Sequence, residues 1–269
     1  GNYTANGAVY VVPCKFGTFG NGSNACSSLA GKQTQLKYTT IGGSYSDDFP
    51  VQNAVDCADG KYNTDGIGPC QDIPPGHQGT HSNGQYSGGT GAANHAACTD
   101  GTYNSDGTGA CLAVGSGKQG QQDNQIGSNY TESGSIYAVD CAQGMDNDDG
   151  TGACQLCSYG KFKTSGDGAC LAVPPGKQGQ QDNQIGSNYT ESGSIYAVDC
   201  KSGTYNTDGI GPCQSIPPGH QGTLSNGDYS GGIGAVNHTA CKAGKYNING
   251  TGQCEDVGAG KQGQNTPNS

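Results

Sequence analysis

Cysteine spacing is the feature of this sequence that most restricts how it can fold. Fourteen cysteines form seven successive pairs; six of the pairs enclose twelve residues each, and the first encloses eleven. The pairs are Cys14/Cys26, Cys57/Cys70, Cys98/Cys111, Cys141/Cys154, Cys157/Cys170, Cys200/Cys213 and Cys241/Cys254. This regularity predicts an array of small units, each closed by a local disulfide. We number the seven closed segments clip 1 to clip 7.

The composition explains why covalent links are needed. Only 31% of the 269 residues are hydrophobic, 50 are glycine and none is tryptophan. Ordering the backbone costs roughly 1 to 2 kcal/mol per residue, and few apolar side chains offset that cost. Closing a loop of about fourteen residues with a disulfide contributes on the order of 3 kcal/mol. We therefore expect disulfides formed in an oxidising compartment and an extracellular or cell-surface location.

A second interpretation of the cysteines is thiolate metal binding, which the spacing disfavours. Cys154 and Cys157 form the one Cys-x-x-Cys motif of the sequence. Zinc sites normally combine two such motifs, or one with a pair of histidines. We therefore interpret the cysteines as disulfides, although regular spacing does not by itself fix the connectivity.

The clips divide the chain into repeats of two lengths. Residues 1–13 are the end of a preceding repeat, 14–56, 98–140 and 157–199 are 43-residue repeats, 57–97 and 200–240 are 41-residue repeats, 141–156 is a short repeat, and 241–269 is a truncated repeat. A 25-residue string occurs twice without a change, at 117–141 and 176–200. Because the chain starts and stops within a repeat, we expect a segment of a longer array, or neighbouring chains whose ends complete each other.

The local patterns predict a small, disulfide-rich fold of β and irregular structure, with little or no helix. Asn-x-Asp-Gly sequences such as Asn63 to Gly66 favour tight turns, which indicates that each clip is a hairpin. Short strands are expected around Tyr86, Tyr130, Tyr189 and Tyr229. Since no stretch has the apolar period of a helix, we predict an elongated rod in which each unit mainly contacts its neighbours.

Recurring aromatic residues are expected to supply the small core of each unit. One set follows the opening cysteine by five positions, and a second set precedes the next clip. The first comprises Phe19, Tyr62, Tyr103, Phe162, Tyr205 and Tyr246, and the second Tyr3, Tyr45, Tyr86, Tyr130, Tyr189 and Tyr229. The short repeat departs from this pattern, because Asp146 occupies its aromatic position.

The string ACQLCSYGKFKTSGDGAC, from Ala153 to Cys170, together with the recurring Cys-x-x-Gly-x-Tyr, resembles the cysteine-rich repeats of ephrin-type receptors and, more distantly, of tumour-necrosis-factor receptors. Elsewhere the Cys-x-x-Cys junction of those repeats is replaced, as in Cys70 to Pro75. The resemblance implies an extracellular, ladder-like rod that presents surfaces and performs no catalysis.

Candidate sites for chemistry are few. The acidic cluster Asp146, Asp148 and Asp149 is the best candidate for calcium, yet it lacks most of the ligands that a calcium loop requires, so we expect no cofactor apart from this weak possibility. Histidines recur as His77/His220 and His95/His238, but lysine replaces the first pair in other repeats. Since neither a nucleophile motif nor a phosphate-binding loop is present, we predict that the chain is not an enzyme.

Charge and hydropathy exclude two classes of partner. The formal charge is −10, and all 12 basic residues are lysines scattered among carboxylates. Nucleic acids and anionic membranes are recognised by clustered lysine and arginine, so neither is an expected partner. No window has the roughly 18 apolar residues that a transmembrane helix requires, so no membrane span is expected in this segment.

Covalent glycans and copies of the chain itself are the expected partners. Asn-x-Ser/Thr acceptors occur at Asn2, Asn21, Asn129, Asn188, Asn237 and Asn249, and three of them occupy the same repeat position. The leading hypothesis is a structural subunit of an extracellular glycosylated fibril, coat or appendage, because interchangeable repeats suit a self-associating array. The alternative is a receptor or adhesion ectodomain that displays a ligand-binding surface.

Overall fold

The computed structural model describes the strands Asn2–Tyr3, Val12–Pro13, Thr18–Phe19, Ser27–Ser28 and Lys32–Gln35, Ala30, and residues 53–165 and 168–263. Side chains are described for Ala30, Lys32 and residues 55–165 and 168–263. Within these ranges there is no helix, and the strands pair two by two. Cys14, Cys26, Asn21 and Tyr45 lie outside the described residues. The predicted class, a disulfide-rich tandem repeat of β and irregular structure, is confirmed.

The strands follow the chain as alternating short and long hairpins. In the first half they are β1 Asn2–Tyr3, β2 Val12–Pro13, β3 Thr18–Phe19, β4 Ser27–Ser28, β5 Lys32–Gln35, β6 Asn53–Asp56, β7 Lys61–Tyr62, β8 Gln71–Asp72, β9 His77–Thr80, β10 Asn94–Ala97, β11 Thr102–Tyr103, β12 Leu112–Ala113, β13 Lys118–Gln121 and β14 Tyr137–Asp140. They continue as β15 Met145–Asp146, β16 Gln155–Leu156, β17 Lys161–Phe162, β18 Leu171–Ala172, β19 Lys177–Gln180, β20 Tyr196–Asp199, β21 Thr204–Tyr205, β22 Gln214–Ser215, β23 His220–Thr223, β24 Asn237–Ala240, β25 Lys245–Tyr246 and β26 Glu255–Asp256. Each strand pairs with the next one along the chain.

The chain forms two compact bodies. The first comprises residues 1–139 and 149–153, and the second comprises residues 140–148 and 154–269. The disulfides of clips 2 and 3 lie in the first body, and those of clips 4 to 7 lie in the second. The repeat boundaries themselves remain a prediction from the sequence.

Each described clip is part of an antiparallel β-hairpin whose two strands are two residues long, and a disulfide closes the clip. The six disulfides are Cys57–Cys70, Cys98–Cys111, Cys141–Cys154, Cys157–Cys170, Cys200–Cys213 and Cys241–Cys254, all with a sequence separation of 13. In clip 2 the hairpin register pairs Lys61 with Asp72 and Tyr62 with Gln71. The same two-residue register recurs in clip 6.

A buried asparagine organises the turn of each Asn-x-Asp-Gly clip. In clip 2, Oδ1 of Asn63 accepts a hydrogen bond from the Gly66 amide at 2.8 Å, and its Nδ2 donates to the Gly68 carbonyl at 3.1 Å. Asn63 is 4% exposed. Because one side chain satisfies both a donor and an acceptor of the turn, the backbone polar groups of the loop need no further strand.

Aliphatic residues and half-cystines, rather than tyrosines, form the core. Four aliphatic residues, each three positions after the closing cysteine of a clip, are at most 4% exposed: Ile73, Val114, Val173 and Ile216. Tyr246 is 38% exposed, and the aromatic residues of the other described clips are half-buried where their side chains are described. The prediction of a tyrosine core is therefore wrong. A tyrosine on a two-residue hairpin covers the sheet from one side and leaves its other face in water.

The expected strands around the second set of tyrosines are largely missing in the described ranges. Tyr86 and Tyr229 make single bridges to Thr80 and Thr223, whereas Tyr130 and Tyr189 lie in no strand. In the 43-residue repeats this segment is instead a loop, and glutamine side chains donate hydrogen bonds to its backbone. Both Gln178 and Gln180 donate from Nε2 to the Ser187 carbonyl, at 3.1 and 3.2 Å.

Candidate functional site

Successive repeats contact each other through glycine packed on backbone. A Cβ atom at Gly107 of clip 3 would lie 2.1 Å from the carbonyl oxygen of Ile73. The equivalent distance is 1.9 Å from Gly209 to the carbonyl oxygen of Val173. Both glycines have positive φ, so the position excludes other residues sterically and conformationally. This contact, which we call the glycine junction, joins units within each of the two bodies.

A backbone hydrogen bond accompanies the glycine junction. The Gly76 amide donates to the carbonyl of Asn104 in the next clip at 2.7 Å, and the Gly176 amide donates to the Asn206 carbonyl at the same distance. In the short repeat the Gly144 amide donates to the Lys163 carbonyl at 2.9 Å. Because these bonds use main-chain atoms, the junction does not depend on which side chains the repeats carry.

A glutamine side chain adds a third link between repeats. Oε1 of Gln78 accepts a hydrogen bond from the Cys111 amide, the closing cysteine of the next clip, at 2.9 Å. Gln178 does the same for Cys213 at 2.8 Å. The sequence analysis missed this role. Its signal was available, because Gly-Lys-Gln or Gly-His-Gln recurs at the start of every long hairpin.

Asp146 performs the glutamine's task in the short repeat, which has no long hairpin of its own. Its Oδ2 accepts from the Cys170 amide at 2.7 Å, and its Oδ1 accepts from the Asn147 amide at 2.8 Å. Asp146 is 9% exposed. A carboxylate oxygen held by amide donors is a strong acceptor. The residue that breaks the aromatic pattern therefore completes a link between repeats.

The other calcium candidates are also engaged or isolated in the structure. Oδ1 of Asp149 accepts from the backbone amide and hydroxyl of Thr151, at 2.8 and 2.7 Å, which holds the pKa of Asp149 below its usual range. Asp148 is exposed. Within residues 55–165 and 168–263, no three His, Cys, Asp or Glu side chains converge in a group able to hold a metal.

Aspartate at the second position of a clip makes a further cross-repeat contact. Asp59 accepts from the Gly109 amide at 3.0 Å, and Asp100 accepts from the Gly152 amide at 2.9 Å. The bonds from Gly152 and from the Tyr130 hydroxyl lower the pKa of Asp100. Burial and the bond to Asp100 in turn raise the pKa of Tyr130 to about 12. Tyr130 thus ties its loop to the repeat junction.

The glycan acceptors with described side chains are accessible. Asn129 and Asn188 lie exposed in the same loop of their repeats, and Asn237 and Asn249 are exposed as well. Asn249 is held in a turn, since its Oδ1 accepts from the Thr251 amide at 3.1 Å. Asn2 lies in strand β1, and its side chain is not among those described.

The histidines of the 41-residue repeats lie together. The rings of His77 and His95 are 4.9 Å apart between centres, and Tyr62 packs against His95 at 4.7 Å. In the second such repeat, His220 and His238 are also 4.9 Å apart, and Tyr205 is 4.8 Å from His238. The sequence placed these histidines at equivalent positions but did not place them in contact.

Fold and junctions together define a cysteine-rich tandem-repeat protein built from disulfide-stapled β-hairpins. No family model matches the chain, and no curated protein matches it. Across the part of the chain that the structure describes, no helix has the length and apolar character needed to cross a membrane.

Proposed function

We propose that this chain is a structural subunit of an extracellular fibril, coat or appendage whose repeats propagate a disulfide-stapled array. The observation that carries the proposal is the glycine junction. Gly107 on Ile73 in the first body and Gly209 on Val173 in the second use the same backbone atoms. Units joined by backbone contacts are interchangeable, and interchangeable units suit a polymer of many copies.

The proposed location follows from the disulfides. Six disulfides with ordinary Cα–Cα spacings of 5.6 to 5.7 Å hold units that have little apolar core. Such bridges persist in oxidising surroundings, and the resemblance to ephrin-receptor-type repeats agrees with an extracellular rod. Small-angle scattering of the purified chain tests the rod: an elongated particle supports it, and a radius of gyration near that of a compact domain of this length contradicts it.

Glycosylation is part of the proposal. Asn129 and Asn188 occupy the same exposed loop of two repeats, so a glycan there would decorate the array at regular intervals. Peptide mapping of native material, with and without enzymatic removal of N-linked glycans, measures occupancy. Asn83, which is exposed but is followed by Gly and Gln, is the matched position that should carry none.

Negative-stain microscopy tests self-assembly. Concentrated native protein should form filaments or sheets whose repeat is set by the units, and reduction of the disulfides should abolish them. Discrete monomers at high concentration would contradict the proposal. Monomers that instead bind a cell-surface partner saturably would favour the alternative, a receptor or adhesion ectodomain.

A further inference from the structure

Four of the five histidines of the chain form two clusters of nearly identical geometry. The first histidine cluster consists of Tyr62, His77 and His95, with ring centres 4.9 Å apart for the two imidazoles and an interplanar angle of 78°. His77 lies on β9 and His95 on the paired strand β10, where His95 faces Gly79. The fifth histidine, His81, is exposed and belongs to neither cluster.

The second histidine cluster repeats this arrangement in the other body. It consists of Tyr205, His220 and His238, with the imidazole centres 4.9 Å apart at an interplanar angle of 79°. Tyr205 packs against His238 at 4.8 Å and 68°, as Tyr62 packs against His95 at 4.7 Å and 69°. The two 41-residue repeats share these residues, so the cluster recurs with the repeat.

Each cluster presents imidazole nitrogens that the protein leaves free. Nδ1 of His77 lies 3.3 Å from the Pro75 carbonyl, so this nitrogen carries the proton and Nε2 keeps its lone pair. Nδ1 of His95 is buried and has no hydrogen-bond partner among the described residues. Fixing one ring nitrogen with a backbone carbonyl is the usual support for a metal-binding histidine.

The surroundings of the inner histidine disfavour its charged form. Burial, followed by the charge of His77, lowers the pKa of His95, and burial and His220 do the same for His238. A neutral imidazole is the form that binds a metal.

The 43-residue repeats show that the scaffold does not require these histidines. In that register Lys177 pairs with Asp199 and forms an ion pair at 2.8 Å, where the 41-residue repeat pairs His77 with Ala97. Ala197, which faces Gly179, occupies the place of His95. The hairpin thus tolerates either an ion pair or a histidine pair, so the histidines are free to serve another purpose.

We propose that each histidine cluster binds one divalent transition-metal ion of the kind that prefers imidazole, such as Cu²⁺ or Zn²⁺. A tetrahedral ion such as Zn²⁺, about 2.0 to 2.1 Å from one nitrogen of each ring, places the ring centres roughly 5 Å apart, close to their spacing of 4.9 Å, and the tetragonal geometry of Cu²⁺ requires the rings to lie somewhat closer. His77 binds through Nε2 and His95 through the nitrogen that has no partner, with water completing the shell. Small ring rotations are inexpensive, because the imidazole torsion is broad.

Titration with Cu²⁺ alone, in a buffer that does not bind metals, tests the proposal on the full disulfide-bonded chain. Calorimetry and electron paramagnetic resonance should give two equivalents per chain with nitrogen coordination. His95→Gln should leave one equivalent, and His95→Gln with His238→Gln should leave none. His81→Gln is the matched control and should retain two. Absence of saturable binding, or binding that survives the double change, overturns the proposal.

A second variant separates loss of the site from loss of the fold. His77→Lys, His95→Ala and Ala97→Asp together rebuild the ion pair of the 43-residue repeat, and this hairpin should fold and lose its metal. Nitrogen-detected NMR of the wild-type chain with Zn²⁺ gives an independent readout, since the Nε2 resonance of His77 should shift while Nδ1 keeps its proton. A wild-type chain whose His77 resonances do not respond to Zn²⁺ contradicts the site.

Discussion

The short repeat and the full repeats link to their neighbours with different side chains. The short repeat uses the carboxylate of Asp146 to hold the Cys170 amide, whereas a full repeat uses the amide oxygen of Gln178 to hold Cys213. Asp146 sits on the clip hairpin itself, and Gln178 sits on the long hairpin that follows the clip. The link therefore requires an acceptor at a fixed place, and the long hairpin is not needed to supply it.

Removing a disulfide should give the largest effect and should separate the two kinds of repeat. Cys141→Ala with Cys154→Ala deletes the link that closes the short repeat, which has no long hairpin to retain its structure. Closing a loop of this length contributes about 3 kcal/mol, so clip 4 should lose nearly all protection from hydrogen exchange. Cys200→Ala with Cys213→Ala should cost a similar amount but leave β23 and β24 protected. Equal and complete loss in both would contradict the comparison.

Breaking the glycine junction should have the next largest effect. Gly150→Ala places a Cβ 1.9 Å from the Val114 carbonyl oxygen, whereas Gly152→Ala meets nothing within 4 Å, and both glycines have positive φ. The control should cost about 1 to 2 kcal/mol from the left-handed backbone alone. Gly150→Ala should cost about 1 to 3 kcal/mol more from overpacking. Urea unfolding measures the stability of both variants, and equal losses would show that the glycine junction does not contribute to stability.

Deleting the side-chain acceptor should have a moderate effect that differs between the repeats. Asp146→Leu and Gln178→Leu each leave an amide without its partner, at a cost of about 1 to 3 kcal/mol. The loss should be greater for Asp146, since its bond is charge-assisted. Asp146→Asn retains an acceptor and should recover most of the stability. Hydrogen exchange at the Cys170 and Cys213 amides reports on each link separately. Unchanged exchange in both leucine variants would show that these side-chain acceptors do not hold the amides.

Acid should produce the smallest effect, and the junction that Asp100 serves is a place to measure it. Because the pKa of Asp100 is lowered in the folded state, its contribution is present above the unfolded pKa of about 3.9 and is lost as pH falls through the lower folded pKa. NMR titration of the Gly152 amide should follow this transition. Asp100→Asn should remove the part of the pH dependence that comes from this carboxylate, and an unchanged titration of the Gly152 amide in that variant would contradict the assignment.

The clips were predictable because their determinants are local. The paired cysteines are 13 residues apart, and the turn contacts span only a few residues, as between Asn63 and Gly66. The core residues were not predictable in this way, because Ile73 is buried through a tertiary contact: its Cδ1 lies 3.0 Å from the Cβ position of Gly79 on the long hairpin. In sequence these residues look like part of a proline-rich connector, whereas the more numerous tyrosines look like a core.

The recurring glutamine was visible in the sequence, but the partner to which it links could not be predicted from it. Gln178 and Cys213 are 35 residues apart, and nothing in either residue type names its partner. Asp146 was interpreted first as a calcium ligand and as a defect in the aromatic pattern. Its role follows from the geometry of the short repeat. This repeat has no long hairpin to supply a glutamine, so the hydrogen-bond acceptor is Asp146, the second residue of β15. The histidine pairs were visible as equivalent positions, but their contact required the strand register.

The glycine junction also bears on how the number of repeats is controlled. Since Gly107 and Gly209 contact the preceding repeat through the same main-chain atoms, a junction carries no mark of its position along the array. Such an interface does not specify the order of the repeats, so any repeat can follow any other. The number of repeats is then set by the gene alone. Unequal recombination could lengthen or shorten the array without disrupting any glycine junction.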